Sequence, residues 1–280
     1  MGILTEATVR VTPLPEREEF HGVFFPDWER AMEGAREVIK SRLPLSMLRL
    51  STSGETETTI ALARHKRFIG ALETLLSALG ARSEKCLFIL GFHGNESVVR
   101  ASRKEAIGIA KKHDGVHVGQ LFGRLWHKNR FRMPYLRNSL WEMGYAADTL
   151  ETATTWTNVP AMLQSIRDSL NLDRLGIDER VHVFSHLSHC YPTGSSIYTT
   201  YLFRIAQDPD ETLQRWRLLK SAASNAIVAN GGTISHQHGI GIDHRPYLRA
   251  EKGDLGIRLM TGLCRELDPQ GLMNPGKLVD

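Results

Sequence analysis

One uninterrupted apolar segment limits the fold of this chain more than any other feature. Residues Cys86 to Phe92 read CLFILGF and include no charged side chain. A short run that is apolar at every position is typical of a strand covered on both faces. We therefore predict that this segment is a central strand of a sheet.

The remaining pattern predicts an α+β fold, with a mostly antiparallel sheet and helices on one face. Helices and strands alternate, but their connections differ in length. Residues 58–63 fit either a strand or the start of a helix. The predicted strands are 4–11, 45–50, 86–92, 147–155, 180–190 and 195–204, and the predicted helices are 28–42, 68–79, 96–112, 122–128, 135–143, 159–170, 210–230 and 254–267.

Composition narrows the class of protein. The chain has 280 residues, 41% of them hydrophobic, and only three cysteines, so neither a disulfide framework nor paired CxxC zinc ligands are expected. No apolar run approaches the roughly 18 residues of a membrane span, and we expect no signal peptide because no basic segment followed by an apolar one occurs near residue 1. We expect a cytoplasmic protein, with peripheral association with a membrane left open. The basic group Arg124, Lys128, Arg130, Arg132 and Arg137 suits a small anionic substrate better than nucleic acid.

A glycine-rich segment with two histidines follows the predicted helix 210–230. It reads GGTISHQHGIG and contains His236 and His238. Glycine permits positive φ and close backbone approach, so a sharp loop is predicted. Three interpretations are open: a turn whose histidines only fill hydrogen-bonding roles, a metal site, or a catalytic loop that faces a flavin or substrate.

Three further histidines, His182, His186 and His189, raise the question of a metal site. On a strand, His182 and His186 share one face and His189 lies on the other. No HxxxH helix with a glutamate supplies the missing ligands. We therefore predict no metal.

Three other side chains are candidates for chemistry. Tyr198 lies on a predicted strand, where it shares a face with Thr200, and a tyrosine beside histidines can act as an acid or base. Arg137 follows Pro134 and could hold a phosphate or carboxylate. Arg49 lies within an apolar strand. The alternatives are a tyrosine in the core and arginines at the surface.

Several motifs together resemble the C-terminal half of FAD-linked oxidases of the vanillyl-alcohol oxidase type. They are GGTISHQHGIG, LDPQGLMNPGKL and GILTEATVRV. Within that superfamily the alkyldihydroxyacetonephosphate synthase branch is similar in PYLRN, YAADTLETATTW and YPTGSSIY. The resemblance covers nearly the whole chain in order. It implies the C-terminal, ferredoxin-like fold of these oxidases and FAD as cofactor.

The resemblance also implies roles for individual residues. Tyr198 matches the acid/base tyrosine that removes a proton at C1 of the acyl substrate. His236 and His238 match the outer members of a three-histidine run whose middle position is Gln237 here. Arg137 matches the arginine that holds the substrate phosphate. Arg49 matches, more loosely, an arginine required for activity.

The implied domain organisation leaves most of the flavin site outside the chain. Residues 1–12 are expected to end an N-terminal FAD-binding domain, with Gly2, Ile3 and Leu4 touching the flavin. Residues 13–280 are expected to form the substrate domain, of which 231–280 return toward the flavin. A separate FAD-binding domain is then a partner, and a homo-oligomer is left open. No G-x-G-x-x-G phosphate cradle compensates.

The function that the resemblance implies is ether-lipid synthesis, in which an alkyl group replaces the acyl group of a phosphate-bearing, lipid-like ester. One alternative is an FAD-dependent dehydrogenase of D-2-hydroxyacids such as glycolate or D-lactate. That branch typically shows HxGDGNxH and GEHG, where this chain has His189-Cys190-Tyr191-Pro192-Thr193-Gly194 and Gln237-His238-Gly239. The other alternative is a non-catalytic remnant.

Overall fold

The computed structural model describes residues 2–62, 70, 76 and 84–279. The described residues divide into two compact units. The sheet unit contains Leu14–Thr149 and His182–Ile205. The helical unit contains residues 2–13, Leu150–Val181 and 206–279. This division was not predicted from the sequence.

The sheet has seven strands in the order β4-β1-β3-β2-β6-β7-β5, and the strand pairs whose register is resolved are antiparallel. Strand β3 pairs with β1 along its whole length and with β2 on its other edge, so the prediction of a central strand at CLFILGF is confirmed. The α+β class is confirmed as well. The strands are β1 Arg17–Phe25, β2 Leu45–Ser51, β3 Cys86–Gly94, β4 Val116–His117, β5 Tyr145–Thr155, β6 His182–Leu187 and β7 Gly194–Arg204.

The helices of the sheet unit are α1 Trp28–Lys40, α2 Ser53–Leu62, α3 Glu96–Lys112, α4 Leu121–Asn129 and α5 Leu136–Glu142, with a 3₁₀ turn at Met133–Tyr135. Two of them, α1 and α3, begin at a side-chain cap. Asp27 accepts a hydrogen bond from the Arg30 backbone, and Asn95 accepts one from the Val98 backbone, so each satisfies a donor that has no partner within its helix.

Helices contact both faces of β1, which differs in detail from the single helical face of the prediction. Phe24 meets Phe122 of α4 edge to face, with ring centroids 5.2 Å apart. The next residue, Phe25, lies against Gly34 of α1 on the opposite face. Successive side chains of a strand point to opposite faces, so two adjacent phenylalanines need cover on both.

The helical unit contains α6 Val159–Ser169, α7 Pro209–Ala229 and α8 Gly241–Leu267, with 3₁₀ turns at Trp156–Asn158 and Asp173–Leu175. Asp208 caps α7 and Asn230 ends it, in agreement with the predicted helix 210–230. Helix α8 begins before the predicted residue 254. It has a non-helical residue, Gly253, with φ +67°, so the predicted helix is only its second segment.

One predicted strand is wrong. Residues 4–11 form no strand, and their apolar side chains, including Leu4 and Val11, are exposed. Alternating apolar residues favour a strand only where a neighbouring strand pairs with the backbone, and the described residues supply none here.

Two other predictions concern helices. Residues 58–62 belong to helix α2, which begins at Ser53, so the helical alternative holds there. The predicted helix 68–79 lies largely outside the described residues.

In the described part of the chain, no helix combines the length and apolarity that crossing a membrane requires.

Candidate functional site

Tyr198 lies on β7 directly opposite His186 on β6. The two rings are stacked, with centroids 5.0 Å apart and an angle of 23° between their planes. Burial alternates along β7 as predicted, because Tyr198 and Thr200 are half-buried while Ile197 and Tyr201 are fully buried. Tyr198 therefore presents its ring on the less covered face of the sheet.

A buried carboxylate joins this pair to Arg49. Oε1 of Glu55, in the first turn of α2, accepts a hydrogen bond from Arg49 Nη2 at 2.7 Å and lies 3.1 Å from His186 Nδ1. Burial alone would raise the pKa of Glu55, but the charges and hydrogen bonds of His186 and Arg49 outweigh it and lower that pKa to about 2. Glu55 is therefore ionised at neutral pH.

The second group of predicted residues lies in the helical unit, where Glu151 holds both histidines of the loop. Oε1 of Glu151 lies 3.0 Å from His236 Nδ1, and Oε2 lies 3.2 Å from His238 Nε2. The His236 backbone also donates to the Glu151 carbonyl at 3.0 Å. Each carboxylate oxygen thus fixes one imidazole, which orients the two rings.

The loop is as sharp as its glycines predict. Gly231, Gly239 and Gly241 have φ of +66°, +75° and +62°, and Gln237, between the histidines, has φ of +63°. A Cβ at Gly232 would come within 2.5 Å of Thr152 Oγ1, so this glycine is required for close packing. Backbone and side-chain hydrogen bonds between Thr233 and residues Thr152 and Ala153 anchor the loop.

The other predicted residues belong to neither of these two clusters. Arg137 is exposed on α5 and forms no hydrogen bond or ion pair with the residues that the structure describes. Gly2, Ile3 and Leu4 belong to the helical unit and are exposed without regular structure. The assignment of a phosphate to Arg137 and of the flavin to Gly2, Ile3 and Leu4 stays a prediction, as does the absence of a metal.

Reasoning from the sequence missed both carboxylates and the contacts of His186 with Glu55 and Tyr198. Glu55 follows Arg49 by six residues, but the helix at this position was ambiguous, so the ion pair could not be foreseen. His186 was considered only as a metal ligand. Glu151 places a charged side chain in the Thr-rich strand β5, and that charge was an available signal.

Known proteins match the chain over nearly all of its length. A family model described as FAD linked oxidases, C-terminal domain, matches residues 14–278. An alkyldihydroxyacetonephosphate synthase of Dictyostelium discoideum is 26% identical over 100% of this chain and 46% of that protein. A probable mitochondrial D-lactate dehydrogenase of Danio rerio is 24% identical over 100% of this chain and 52% of that protein.

The fold comparison agrees with the sequence comparison. A solved alkyldihydroxyacetonephosphate synthase superposes with a TM-score of 0.72 at 19% identity, covering 94% of this chain and 45% of the other. The chain thus spans about half the length of the relatives that it matches. The resemblance to the synthase branch is therefore established for this half. The chain belongs to the family of FAD-linked oxidases, through their C-terminal domain.

Proposed function

We propose that this chain is the substrate-binding part of an FAD-dependent enzyme of the alkyldihydroxyacetonephosphate synthase type. The observation that carries the proposal is the half-buried Tyr198, held between strands and stacked on His186, in a chain that matches such synthases over its full length. The reaction replaces the fatty acyl group of a dihydroxyacetone phosphate ester by a fatty alcohol. A fatty acid leaves as the alcohol enters, so there is no net oxidation or reduction.

Each predicted residue has a proposed part in this exchange. Tyr198 removes and returns the proton at C1 of the ester as general base and acid. His236 and His238, oriented by Glu151, share the proton transfer. Arg137 binds the phosphate, which agrees with its exposure and with its lack of a partner among the described residues. Arg49 is the second cation on the substrate side.

The fit to FAD is partial. The phenol, imidazole and guanidinium groups suit the substrate side of a flavin, which would supply the electron-accepting ring when bound. The Gly239-Ile240-Gly241 turn, by contrast, does not resemble a phosphate cradle. Its Gly239 and Ile240 carbonyl oxygens are turned toward His244 Nδ1, at 3.1 and 2.9 Å. We therefore assign the pyrophosphate contacts to an FAD-binding partner domain, which residues 2–4 would meet beside the flavin.

The test follows the C1 proton and the leaving acid separately. The flavin-loaded protein is incubated with an acyl-dihydroxyacetone phosphate deuterated at C1 and a fatty alcohol. If the chain does not retain FAD alone, the part of the Dictyostelium relative that lies outside its match to this chain is added as a second polypeptide. We expect release of fatty acid, formation of the ether and loss of one deuterium to water. Tyr198→Phe should abolish all three while the flavin stays bound.

Two results would contradict the proposal. Unchanged turnover in Tyr198→Phe would remove the acid/base role. Reduction of the flavin by D-lactate or glycolate, without ether formation, would favour the dehydrogenase, to which the D-lactate dehydrogenase of Danio rerio gives some support. Tyr191→Phe is a suitable control, since Tyr191 is exposed in the β6–β7 turn.

A further inference from the structure

Two side chains that the proposed mechanism does not use connect two that it does. Glu55 contacts Arg49 and His186 through a single oxygen, at 2.7 and 3.1 Å, and the ring of His186 lies against Tyr198. The four groups form a continuous row across β2, β6 and β7, with Glu55 reaching in from α2. The ends of the row, Arg49 and Tyr198, are the members with predicted roles.

We propose that Glu55 and His186 are positioning residues: the Glu55 carboxylate fixes Arg49 and His186, and the stacked imidazole fixes the ring plane of Tyr198. The proposal deepens the proposed function and rests on it for the roles of Tyr198 and Arg49. Neither Glu55 nor His186 touches the reacting atoms in this scheme.

The local structure holds Glu55 rigidly enough for this role. Helix α2 begins two residues after β2 ends, and its first turn carries Glu55. Strand β2 pairs with β6 at Ser51 and His186, so the backbone brings the imidazole beside this helix start. The adjacent Thr56 hydroxyl accepts a hydrogen bond from the Leu87 backbone at 2.9 Å, which ties α2 to β3.

The two middle residues of the row are buried, whereas Arg49 at its end is partly exposed to solvent. The side chains of Glu55 and His186 are 6% and 7% exposed, whereas that of Arg49 is 26% exposed. A buried carboxylate is strongly destabilising without its cationic partners, so these partners must keep a geometry that maintains the contacts. The buried half of the row therefore sets the orientation of groups that still reach solvent.

The same unit contains a natural control. Glu19 is also buried and contacts His21 and Arg103, and its pKa is lowered to about 2. Burial opposes this shift, and the hydrogen bonds from His21, Arg103 and Arg17 outweigh it. This cluster has similar chemistry, but His21 neighbours His117 instead of a tyrosine. Glu19→Gln should disturb a buried ion cluster without changing Tyr198.

The first experiment measures the position of Tyr198 without flavin or turnover. Ring proton–carbon correlations are recorded on tyrosine-labelled protein, where only six tyrosines contribute, and the Tyr198 signal is identified by its loss in Tyr198→Phe. A stacked imidazole displaces these shifts from their random-coil values. Glu55→Gln should move the Tyr198 signal toward those values, whereas Glu19→Gln should not. An unmoved signal in folded Glu55→Gln overturns the proposal.

A second measurement uses the flavin-loaded protein. We expect Glu55→Gln to lower kcat about 10- to 100-fold, as is typical when an orienting partner is lost, with a smaller change in KM and partial recovery in Glu55→Asp. Equal losses in Glu55→Gln and Glu19→Gln would indicate a structural role only and overturn the proposal.

If Glu55→Gln does not fold, the spectroscopic test compares Glu55→Asp with Glu19→Asp. Absence of exchange activity in the wild type would refute the proposed function, while the spectra would still decide the positioning.

Discussion

Single buried charges organise the candidate site of the sheet unit. Glu55 is buried, which disfavours its charge, yet its pKa lies below the ordinary value because His186 and Arg49 stabilise the carboxylate. Because of this pKa shift, the free energy of unfolding depends on pH in the acid range. A carboxyl group whose folded pKa is lowered stabilises the fold above its unfolded pKa, and this contribution disappears as pH falls through the folded value.

Glu55 should therefore contribute stability that is lost in acid. A pKa lowered from 4.5 to about 2 corresponds to about 3 kcal/mol, fully present above pH 4.5 and gone below pH 2. Urea unfolding of Glu55→Gln should show a deficit of about this size at neutral pH, which shrinks as pH falls below 4.5. Glu57→Gln, on an exposed residue of the same helix, should show none. A deficit that stays constant from pH 7 to pH 3 would contradict the assignment.

Arg137 allows a prediction about substrate charge. Hydrogen bonds to a charged group contribute about 1.5–3 kcal/mol, so Arg137→Ala should raise KM for the phosphorylated ester about 10- to 100-fold. An ester without the phosphate should be unaffected, and Arg137→Lys should recover part of the loss as a point charge. Arg217→Ala removes an exposed arginine outside the basic group that includes Arg137, and it is the control. An equal effect on both esters would exclude a phosphate clamp.

At the scale of elements, backbone conformation shapes the histidine loop. Gly239 has φ of +75° and open space where a Cβ would stand, so Gly239→Ala should lose about 1–2 kcal/mol through the backbone alone. Gly262, in the second segment of α8, also has open space but no left-handed φ, so Gly262→Ala should gain about 0.5–1 kcal/mol. Urea unfolding of both variants measures this, and the same sign for both would disprove the backbone explanation.

The elements also show where sequence reasoning succeeds and where it stops. The bounds of β3, α3 and α7 were predicted closely, because the apolar pattern of each element and the residues that start or end it lie within the same short segment. Residues 4–11 have the same kind of pattern as a strand, but no strand that the structure describes pairs with them, and pairing is not local information. The candidate side chains Tyr198 and Arg49 were identified from motifs. Their partners Glu55 and His186 depend on the register of β2 with β6, which no short segment encodes.

At the scale of the molecule, the polar clusters belong to separate compact units. The sheet unit holds the row from Arg49 to Tyr198, and the helical unit holds the histidines with Glu151. Each cluster is built around one carboxylate that contacts two cationic or imidazole groups. The relatives contain about as much chain again outside the region they share with this one. We therefore propose that this half supplies the groups on the substrate side, and that a partner domain supplies the remaining contacts of the cofactor.

Flavin retention is the decisive property of the whole molecule. Because the 239–241 turn directs carbonyl oxygens toward His244, we expect the protein incubated with FAD and desalted to lack the visible flavin bands. Adding the part of the Dictyostelium relative that lies outside its match to this chain should restore them, together with ether formation. His236→Gln in that mixture should leave the bands but reduce turnover, because Glu151 would then orient only His238. Retained flavin in the chain alone would refute the partner-domain assignment and place a complete cofactor site within these 280 residues.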